Sequence, residues 1–205
     1  MLLYKGMDAI VLKATKYEDD GRILKIFTKE AGLVSVIVKK ISKKGTYWQT
    51  LTSPLARGEF HLKQGNSALY TLSDASLTDP YLEIRENLDK LEAACTILRA
   101  LLLSQHPEKA SPALFHLTLV YLKKLKTFST PALIALSFQM KLLNFEGLFP
   151  ESKEELQETI GADEWVQLQC LCHTKTFDLL ESISPSTLLK KTAESLFQSR
   201  IREYN

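Results

Sequence analysis

Two cysteines and a histidine stand together late in the chain, in the segment Cys170-Leu171-Cys172-His173. Thiolate and imidazole groups are the usual ligands of zinc, so this segment is the best candidate for a metal site. A structural zinc site needs four ligands, however, and the adjacent Cys172 and His173 cannot easily both reach one ion together with Cys170. Since a free cysteine usually behaves as a small apolar residue, we expect buried or half-buried thiols here and no bound metal.

The sequence contains no arrangement of residues that is typical of a catalytic site. A glycine-rich phosphate loop, a GxSxG nucleophile turn and an HExxH motif are all missing from it. The carboxylates Glu18, Asp19 and Asp20 stand side by side before a glycine, which is more typical of a solvated turn than of an acid–base pair. We therefore expect a protein that is not an enzyme and that uses no cofactor.

The most lysine-rich stretch of the chain, VKKISKKGTYWQTL, runs from residue 38 to residue 51 and brings aromatic side chains close to the lysines. Proteins that bind single-stranded nucleic acids use this combination, because cations contact phosphates and aromatic rings stack on bases. The lysines could equally just keep a loop solvated. One of the two aromatic rings is expected in a core, since adjacent strand residues face opposite sides. The residues concerned are Lys39, Lys40, Lys43, Lys44, Tyr47 and Trp48.

The distribution of charge separates a basic first part of the chain from a slightly acidic second part. Residues 1–80 contain 12 Lys and Arg against 8 Asp and Glu, whereas residues 81–205 contain 14 against 16. The small positive excess of the first part suggests a surface that faces a polyanion. No apolar run is long enough to cross a bilayer, and three cysteines argue against a disulfide framework, so we expect a cytoplasmic protein with no membrane contact.

Short apolar runs bounded by turn-forming residues predict five β-strands in the first part of the chain. The runs are DAIVLKAT, GRILKIFT, GLVSVIVKK, LARGEFHLKQ and ALYTLSDAS. In the second run the residues alternate between two faces, and Lys25 shares its face with Ile23 and Phe27. Five strands in 79 residues predict a small closed or nearly closed barrel.

The pattern becomes helical after residue 80. From Tyr81 to Ser104, apolar residues recur at spacings of three and four. Ser111-Pro112 and Thr130-Pro131 each resemble a helix cap followed by proline at the first helical position. The fold class predicted by the sequence is therefore α+β with two domains, a β-barrel over residues 1–79 and an all-helical domain over residues 80–205.

The order of these features resembles the RecO family, the bacterial recombination mediators of DNA repair. The stretch AIVLKATKYEDDGRILKIFTKEAGLVSVIVKK has the family's strand, acidic turn, arginine and glycine in register, and SKKGTYWQTLTSPL is similar to its basic loop. A weaker similarity continues into FQMKLLNFEGLFP, which looks like the family's helix that ends in glycine. The resemblance implies an N-terminal OB-fold domain followed by a helical domain.

The resemblance also implies a function in which no covalent bond is changed. Members of the family bind single- and double-stranded DNA in the RecF pathway, anneal complementary strands, and act with RecR to displace single-strand-binding protein and load RecA. For this chain it implies a cytoplasmic, nucleoid-associated protein with the same partners. Arg22, Lys39, Lys43 and Lys44 fall where the family is basic. The candidate nucleic-acid contacts are Arg22, Lys39, Lys40, Lys43, Lys44, Tyr47, Trp48 and Arg57.

The helical domain departs from the family pattern at the implied site for the acidic C-terminal tail of single-strand-binding protein. Family members often have basic residues just before the helical phenylalanine, whereas Leu136 and Ser137 precede Phe138 here. Nearby lysines would substitute for them, so the candidate partner-peptide residues are Lys123, Lys124, Phe138 and Lys141.

Two further departures concern a loop and the zinc element of the family. Lys40 stands where the family has a glycine after the third strand, so the loop geometry is expected to differ. Many members carry a four-cysteine zinc element in the region that corresponds to residues 150–175. Because this chain keeps only two cysteines and a histidine there, the resemblance favours a degenerate, metal-free region.

A second class of function stays open from the sequence. In that alternative the barrel is only a scaffold, and the chain is a non-catalytic adaptor whose helical domain holds a partner peptide in an apolar groove, with little direct DNA binding. Titration of DNA at two salt concentrations distinguishes the two classes, because phosphate contacts weaken steeply with salt.

Overall fold

The first part of the chain forms the five strands that the sequence predicts. The computed structural model describes residues 3–39, 45–64, 69–107, 109–156, 160–183 and 186–204. The strands are β1 (Leu3–Tyr17), β2 (Gly21–Thr28), β3 (Gly32–Val38), β4 (Arg57–Gln64) and β5 (Tyr70–Asp79). A short helix that the sequence did not predict, α1 (Gly45–Leu51), precedes β4.

The strands close into a barrel in the order β1-β2-β3-β5-β4, with β4 returning to β1. All neighbouring strands are antiparallel except β3 and β5, which are parallel. A closed five-stranded barrel of this kind is the OB-fold arrangement. The prediction of an α+β protein with an N-terminal OB-like barrel followed by helices is confirmed.

Alternate residues of every strand fill the interior of the barrel. Leu24 and Ile26 of β2 and the three valines of β3 at positions 34, 36 and 38 belong to this buried cluster. Leu51 from the end of α1 is also part of it, and Trp48 packs against it. The residues between them point outward, because successive side chains of a strand face opposite sides.

Part of the outer face of the barrel is also buried. Ile10, Phe27 and Leu33 lie in register across β1, β2 and β3, with only 0%, 0% and 7% of their surfaces exposed. The segment 105–117 covers this row, since the Phe115 ring lies 5.8 Å from that of Phe27 and Pro107 forms a bridge with Leu33. The other half of the same outer face is left uncovered by that segment.

Contacts between residues divide the chain into two compact units. The barrel unit contains residues 1–86 and 105–117, and the helical unit contains residues 87–104 and 118–205. The barrel unit thus takes in segments beyond the strands themselves. The predicted domain boundary at residue 79 stays a prediction.

Seven α-helices follow the barrel in the described part of the chain, in addition to one short 3-10 helix at Lys153–Glu155. They are α2 (Leu82–Arg85), α3 (Leu88–Ser104), α4 (Pro112–Leu125), α5 (Pro131–Phe145), α6 (Ala162–His173), α7 (Asp178–Glu181) and α8 (Thr187–Tyr204). Proline begins α4 and α5 as predicted, because its fixed φ suits the first helical position. The helix predicted from Tyr81 is interrupted at Asn87, whose side-chain oxygen accepts a hydrogen bond from the Lys90 amide at 3.0 Å and so caps α3.

The helical unit is organised around α5. Every residue from Leu133 to Met140 is buried, so this helix is covered on all sides. The helices α3, α6 and α8 pack against it. Within the described residues, no helix combines the length and the hydropathy that a membrane span requires.

Gly32 is the glycine on which the covered outer face depends. Its φ is +68°, and a Cβ atom at this position would collide with the backbone carbonyl of Lys109. We predict that Gly32→Ala lowers the free energy of unfolding of the barrel by clearly more than the roughly 1 kcal/mol that a left-handed backbone costs an alanine. Urea unfolding checks this prediction, with Trp48 fluorescence as the signal in a Trp165→Phe background.

Gly45 provides a matched control in the same unit. Its φ is +80°, but no described atom lies within 4 Å of the position of a Cβ. Gly45→Ala is therefore expected to cost only about 1 kcal/mol. If Gly32→Ala and Gly45→Ala lower the free energy of unfolding equally, the close approach of Lys109 to Gly32 adds nothing to the cost of the substitution.

Candidate nucleic-acid interface

Two lysines face each other across β1 and β2 on the uncovered half of the outer face. Lys13 lies opposite Lys25, and Lys25 lies opposite Ser35 on β3. The Lys25 ammonium donates a hydrogen bond to Ser35 Oγ at 2.7 Å, whereas Lys13 is exposed. In the described part of the chain neither lysine forms an ion pair. Like charges at directly opposite positions destabilise a sheet, so an anion close to these two lysines would offset that cost.

A second row of cations lies at the rim of the barrel, three residues further along β1. Lys16 pairs in register with Arg22, and Arg22 with Val38, which is followed by the exposed Lys39. Lys16 and Arg22 line a cleft that also contains Asp19 and Asp20 from the turn between β1 and β2. The rim therefore mixes both signs of charge, unlike the Lys13 and Lys25 pair. By strand alternation Lys16 shares the side of Ala14, which packs against the barrel interior, and not the outer side of Lys13. We name Lys13, Lys25 and Lys39 together the lysine face.

Arg22 serves a different purpose from these lysines. Its Nη1 donates to the Thr52 hydroxyl at 3.1 Å, and to the backbone oxygens of Thr52 and Gln49 at 3.4 Å each. The Thr52 hydroxyl in turn donates to the Trp48 carbonyl at 2.7 Å, inside the last turn of α1. A cation at the C-terminal end of a helix stabilises it. Arg22 thus holds α1 against the rim of the barrel.

The two aromatic residues predicted in a loop or strand lie on α1. Tyr47 has 50% of its surface exposed, and its hydroxyl accepts a hydrogen bond from the Leu77 amide at 2.8 Å. Trp48 is half-buried against the barrel interior. The helix separates the two rings as a strand would have done, and only the Tyr47 ring is largely accessible.

Arg57 is engaged by a carboxylate on the neighbouring strand. Its Nε and Nη2 donate to the two carboxylate oxygens of Asp8 at 2.9 and 2.6 Å. The hydrogen bond with Asp8 raises the pKa of Arg57 above its ordinary value. Because this bidentate pair compensates the charge locally, Arg57 is less available to a phosphate than an unpaired lysine would be.

The remaining nucleic-acid candidates, Lys40, Lys43 and Lys44, lie outside the described residues, and their roles stay predictions. Sequence reasoning missed Lys13, Lys16 and Lys25. The strand alternation could have indicated Lys25, since it placed this residue on the outer face. The pairing with Lys13 could not be found in this way, because the register between β1 and β2 shifts at a bulge between Val11 and Lys13.

The four candidate partner-peptide residues of the helical domain do not share one accessible surface. Phe138 is fully buried, with its ring 5.4 Å from that of Tyr121. The Lys141 ammonium donates to the carbonyls of Cys172 and Thr174 at 3.0 and 2.6 Å, which caps the end of α6. Lys124 lies over aromatic rings of its own unit, and Lys123 is exposed. Burial of Phe138 is explained by the central position of α5.

The cysteine and histidine candidates lie at the end of α6. The Cys172 thiol is buried, donates to the Met140 carbonyl at 3.5 Å, and has its pKa raised to about 12 by burial. Cys170 is half-buried, and the exposed His173 ring lies 5.5 Å from that of Phe149. No group of three or more His, Cys, Asp and Glu side chains is close enough to hold a metal ion in the part of the chain that the structure describes.

The barrel, the lysine face and the helical unit define a class of protein, an OB-fold protein with an appended helical domain. Comparison with known families narrows this class. Residues 1–81 match the family model described as "Recombination protein O N terminal", and residues 85–189 match the one described as "Recombination protein O C terminal". The chain belongs to the RecO family.

Individual relatives agree with this assignment. The chain is 31% identical over 151 residues to the DNA repair protein RecO of Shouchella clausii, which is 73% of this chain and 58% of that relative. It is 29% identical over 144 residues to the protein of the same name from Bacillus subtilis, or 70% and 56% of the two chains. The chain thus spans somewhat more than half the length of the curated relatives it matches.

The thiols provide a test of the described environment at the end of α6. Because burial raises the pKa of Cys172 to about 12, its thiolate fraction at pH 8 is expected to be smaller than that of an ordinary thiol by a factor of about 1,000. A chromogenic disulfide reagent should therefore modify the exposed Cys95 at least about 100-fold faster than Cys172. Cys95→Ser should remove the fast phase and Cys172→Ser only a slow one. A fast phase that disappears in Cys172→Ser would contradict the described burial.

Proposed function

We propose that this chain acts in DNA repair as a non-catalytic recombination mediator that binds the backbone of DNA through its lysine face. The observation that carries the proposal is the pair of lysines at positions 13 and 25. Like charges at directly opposite positions of neighbouring strands cost folding free energy, and a polyanion that lies along the sheet would remove this cost. The exposed Lys39 extends the same positive surface toward the rim of the barrel, where Lys16 adds a further exposed cation.

The composition of the lysine face favours contacts to phosphates over contacts to bases. Lysine presents a single flexible point charge, whereas base recognition in a groove usually relies on the planar fork of arginine or on amide side chains. The two arginine candidates are already engaged by local partners, since Arg22 holds α1 and Arg57 is paired with Asp8. Binding is therefore proposed to depend little on sequence and strongly on salt. Lys40, Lys43 and Lys44 are proposed to continue this surface, and Tyr47 is proposed to stack on an unpaired base.

Membership of the RecO family supports the finer parts of the proposal. The relatives' common name, DNA repair protein RecO, supports a role in repair. We extend the proposal to binding of single- and double-stranded DNA, annealing of complementary strands, cooperation with RecR, and loading of RecA onto DNA covered by single-strand-binding protein. The acidic tail of the last partner is proposed to contact Lys123 and Lys124, because these two lysines lie at the accessible end of α4.

Replacing the opposed lysines is the direct test of the proposed DNA surface. Lys13→Ala with Lys25→Ala is expected to weaken binding of labelled single-stranded DNA on the order of tenfold near 0.1 M salt. The magnitude of the slope of log K against log salt should fall by about 0.7 for each lost phosphate contact. Oligonucleotides of different sequence should lose affinity about equally. Fluorescence anisotropy at several salt concentrations measures both quantities.

The same variant provides its own control for folding. Because Lys13→Ala relieves the repulsion from Lys25, the free energy of unfolding should stay the same or rise. Lys175→Ala, an exposed lysine of the helical unit, should leave the salt slope unchanged. Unchanged DNA affinity in the double variant would show that the DNA site does not include Lys13 and Lys25. Absence of salt-dependent DNA binding in the unaltered chain would refute the proposed function.

A second prediction concerns Arg22 and follows from its bonds to the end of α1. Thr52→Val keeps the shape of the side chain and the net charge, but it removes the hydroxyl that joins Arg22 to the Trp48 carbonyl. Because α1 begins directly after Lys43 and Lys44 in the chain, we expect Thr52→Val and Arg22→Ala each to weaken DNA binding severalfold with little change in salt slope. The double variant should be no weaker than Arg22→Ala, since both changes break one connected network.

A direct phosphate contact by Arg22 would give a different result. In that case Arg22→Ala alone would lower the magnitude of the salt slope by about 0.7, the value for one phosphate contact, and Thr52→Val would leave DNA binding unchanged. Additive losses in the double variant would also contradict the positioning role.

A further inference from the structure

The helical unit contains a groove that none of the sequence candidates lines. Helices α3 and α8 both pack on α5, but they contact each other only weakly, which leaves a gap between them. Two clefts lie in this gap and share Thr96 and Glu194, so they form one continuous groove. Ala135, Leu136 and Gln139 of α5 form part of its floor.

The two ends of the groove carry charges of opposite sign. Asp89 and Glu92 on α3 line one end together with the cation Lys190 on α8, and Glu194 on α8 lies where the two clefts meet. Arg99 and Gln198 line the other end. Asp89, Glu92, Glu194 and Arg99 are exposed. A bound chain would therefore meet net negative charge at one end and positive charge at the other.

The floor of the groove holds a polar atom that lacks a partner. Gln139 has only 5% of its surface exposed, and its Oε1 atom accepts no hydrogen bond from the described residues. A buried acceptor in this state costs free energy, and a donor on a bound molecule would remove that cost. Small side chains such as Ala93, Ala100 and Ala135 line the groove beside it, which allows a second backbone or helix to approach closely.

We propose that this groove binds an amphipathic helix of a partner protein, oriented parallel to α3. The first turns of that helix carry lysine or arginine and lie at Asp89, Glu92 and Glu194, and its last turn carries a carboxylate that lies at Arg99. The helix dipole favours the same orientation, because its positive N-terminal end then meets the acidic end of the groove. From Asp89 to Leu103 the groove follows about 21 Å of α3, which corresponds to about four turns of the bound helix.

This surface is independent of the proposed DNA contacts. It belongs to the helical unit, whereas the lysine face belongs to the barrel unit. The predominance of carboxylates at one end of the groove repels a nucleic acid backbone. It is also opposite in sign to a site for an acidic peptide, so its partner differs from the one for which Lys123 and Lys124 are proposed.

Two labelled peptides of identical composition test the proposed orientation. Both have 15 residues and an alanine and leucine face; the forward peptide has lysines in its first half and glutamates in its last turn, and the reverse peptide has this charge order inverted. Fluorescence anisotropy with the full chain should show that the forward peptide binds at least about tenfold more tightly. Equal affinities, or no binding of either peptide, would overturn the proposal.

Charge reversal in the groove identifies the site of binding. The double variant Glu92→Lys, Glu194→Lys should bind the forward peptide at least about tenfold more weakly. The difference in affinity between the forward and the reverse peptide should also become smaller. The control is Glu151→Lys with Glu181→Lys, which makes the same change of charge at two exposed positions outside the groove. Gln139→Met should lower the affinity for the forward peptide and leave the midpoint of thermal unfolding unchanged. A groove variant that binds the forward peptide as tightly as the control variant would overturn the proposal.

The DNA titration of the same groove variant separates the two proposals. The affinity of the groove variant for single-stranded DNA should match that of the control variant, because both carry the same added charge. If the groove variant loses peptide binding and retains DNA binding, the result supports peptide binding in the groove independently of the proposed DNA contacts of the lysine face. Loss of DNA affinity in the groove variant alone would assign the groove to the DNA site and overturn its assignment to a helix.

Discussion

The packing of one apolar interior by five strands constrains every other feature of the barrel. Leu24, Ile26 and the valines of β3 must point inward to fill this interior, so Lys25 and Ser35 must point outward. The parallel pairing of β3 with β5 at Val36 and Ile37 closes the sheet, and the end of α1 contributes Leu51 to the same cluster. A change of register by one residue in β2 would exchange the two faces, and it would bury Lys25 in an apolar interior.

The cations of this chain fall into two groups that differ in their surroundings. Arg22, Arg57 and Lys141 donate hydrogen bonds to carbonyl, hydroxyl or carboxylate oxygens at distances from 2.6 to 3.4 Å, and each holds two elements together. Lys13 and Lys39 are exposed, and the Lys25 ammonium donates to the Ser35 hydroxyl. A polyanion gains most from the second group, because the charges of the first group already interact with their own neighbours. The number of basic residues in a segment is therefore a poor measure of its binding surface.

The central position of α5 has a comparable effect on the helical unit. A helix that is buried on all sides needs partners around its whole circumference. Phe138 is therefore part of the core, although its sequence context suggested a partner-binding residue. The same arrangement produces the groove, because α3 and α8 cover α5 from two sides without closing on each other. The burial of α5 and the accessible groove therefore both result from the way α3 and α8 pack on α5.

Alternation of apolar residues, turn-forming residues and helix caps was sufficient to predict the five strands, the proline-started helices and the order of barrel and helices. These signals are local, since each depends on residues that are close in the chain. The resemblance to the RecO family could also be seen in the sequence, in the motifs around Arg22 and in the lysine-rich stretch of residues 38–51. The short helix α1 was missed because its seven residues bury mainly Leu51, which is too brief a pattern to show helical periodicity.

The candidate surfaces depended on distances that a linear pattern does not contain. Lys13 and Lys25 are twelve positions apart, and the bulge in β1 sets their pairing. Arg22 meets Thr52 through the closure of the barrel, and Asp8 meets Arg57 across the pair of β1 and β4. Charge pairing, burial and groove formation arise from contacts between residues far apart in the chain, so only the tertiary structure could separate the exposed cations from those that bond to neighbouring elements.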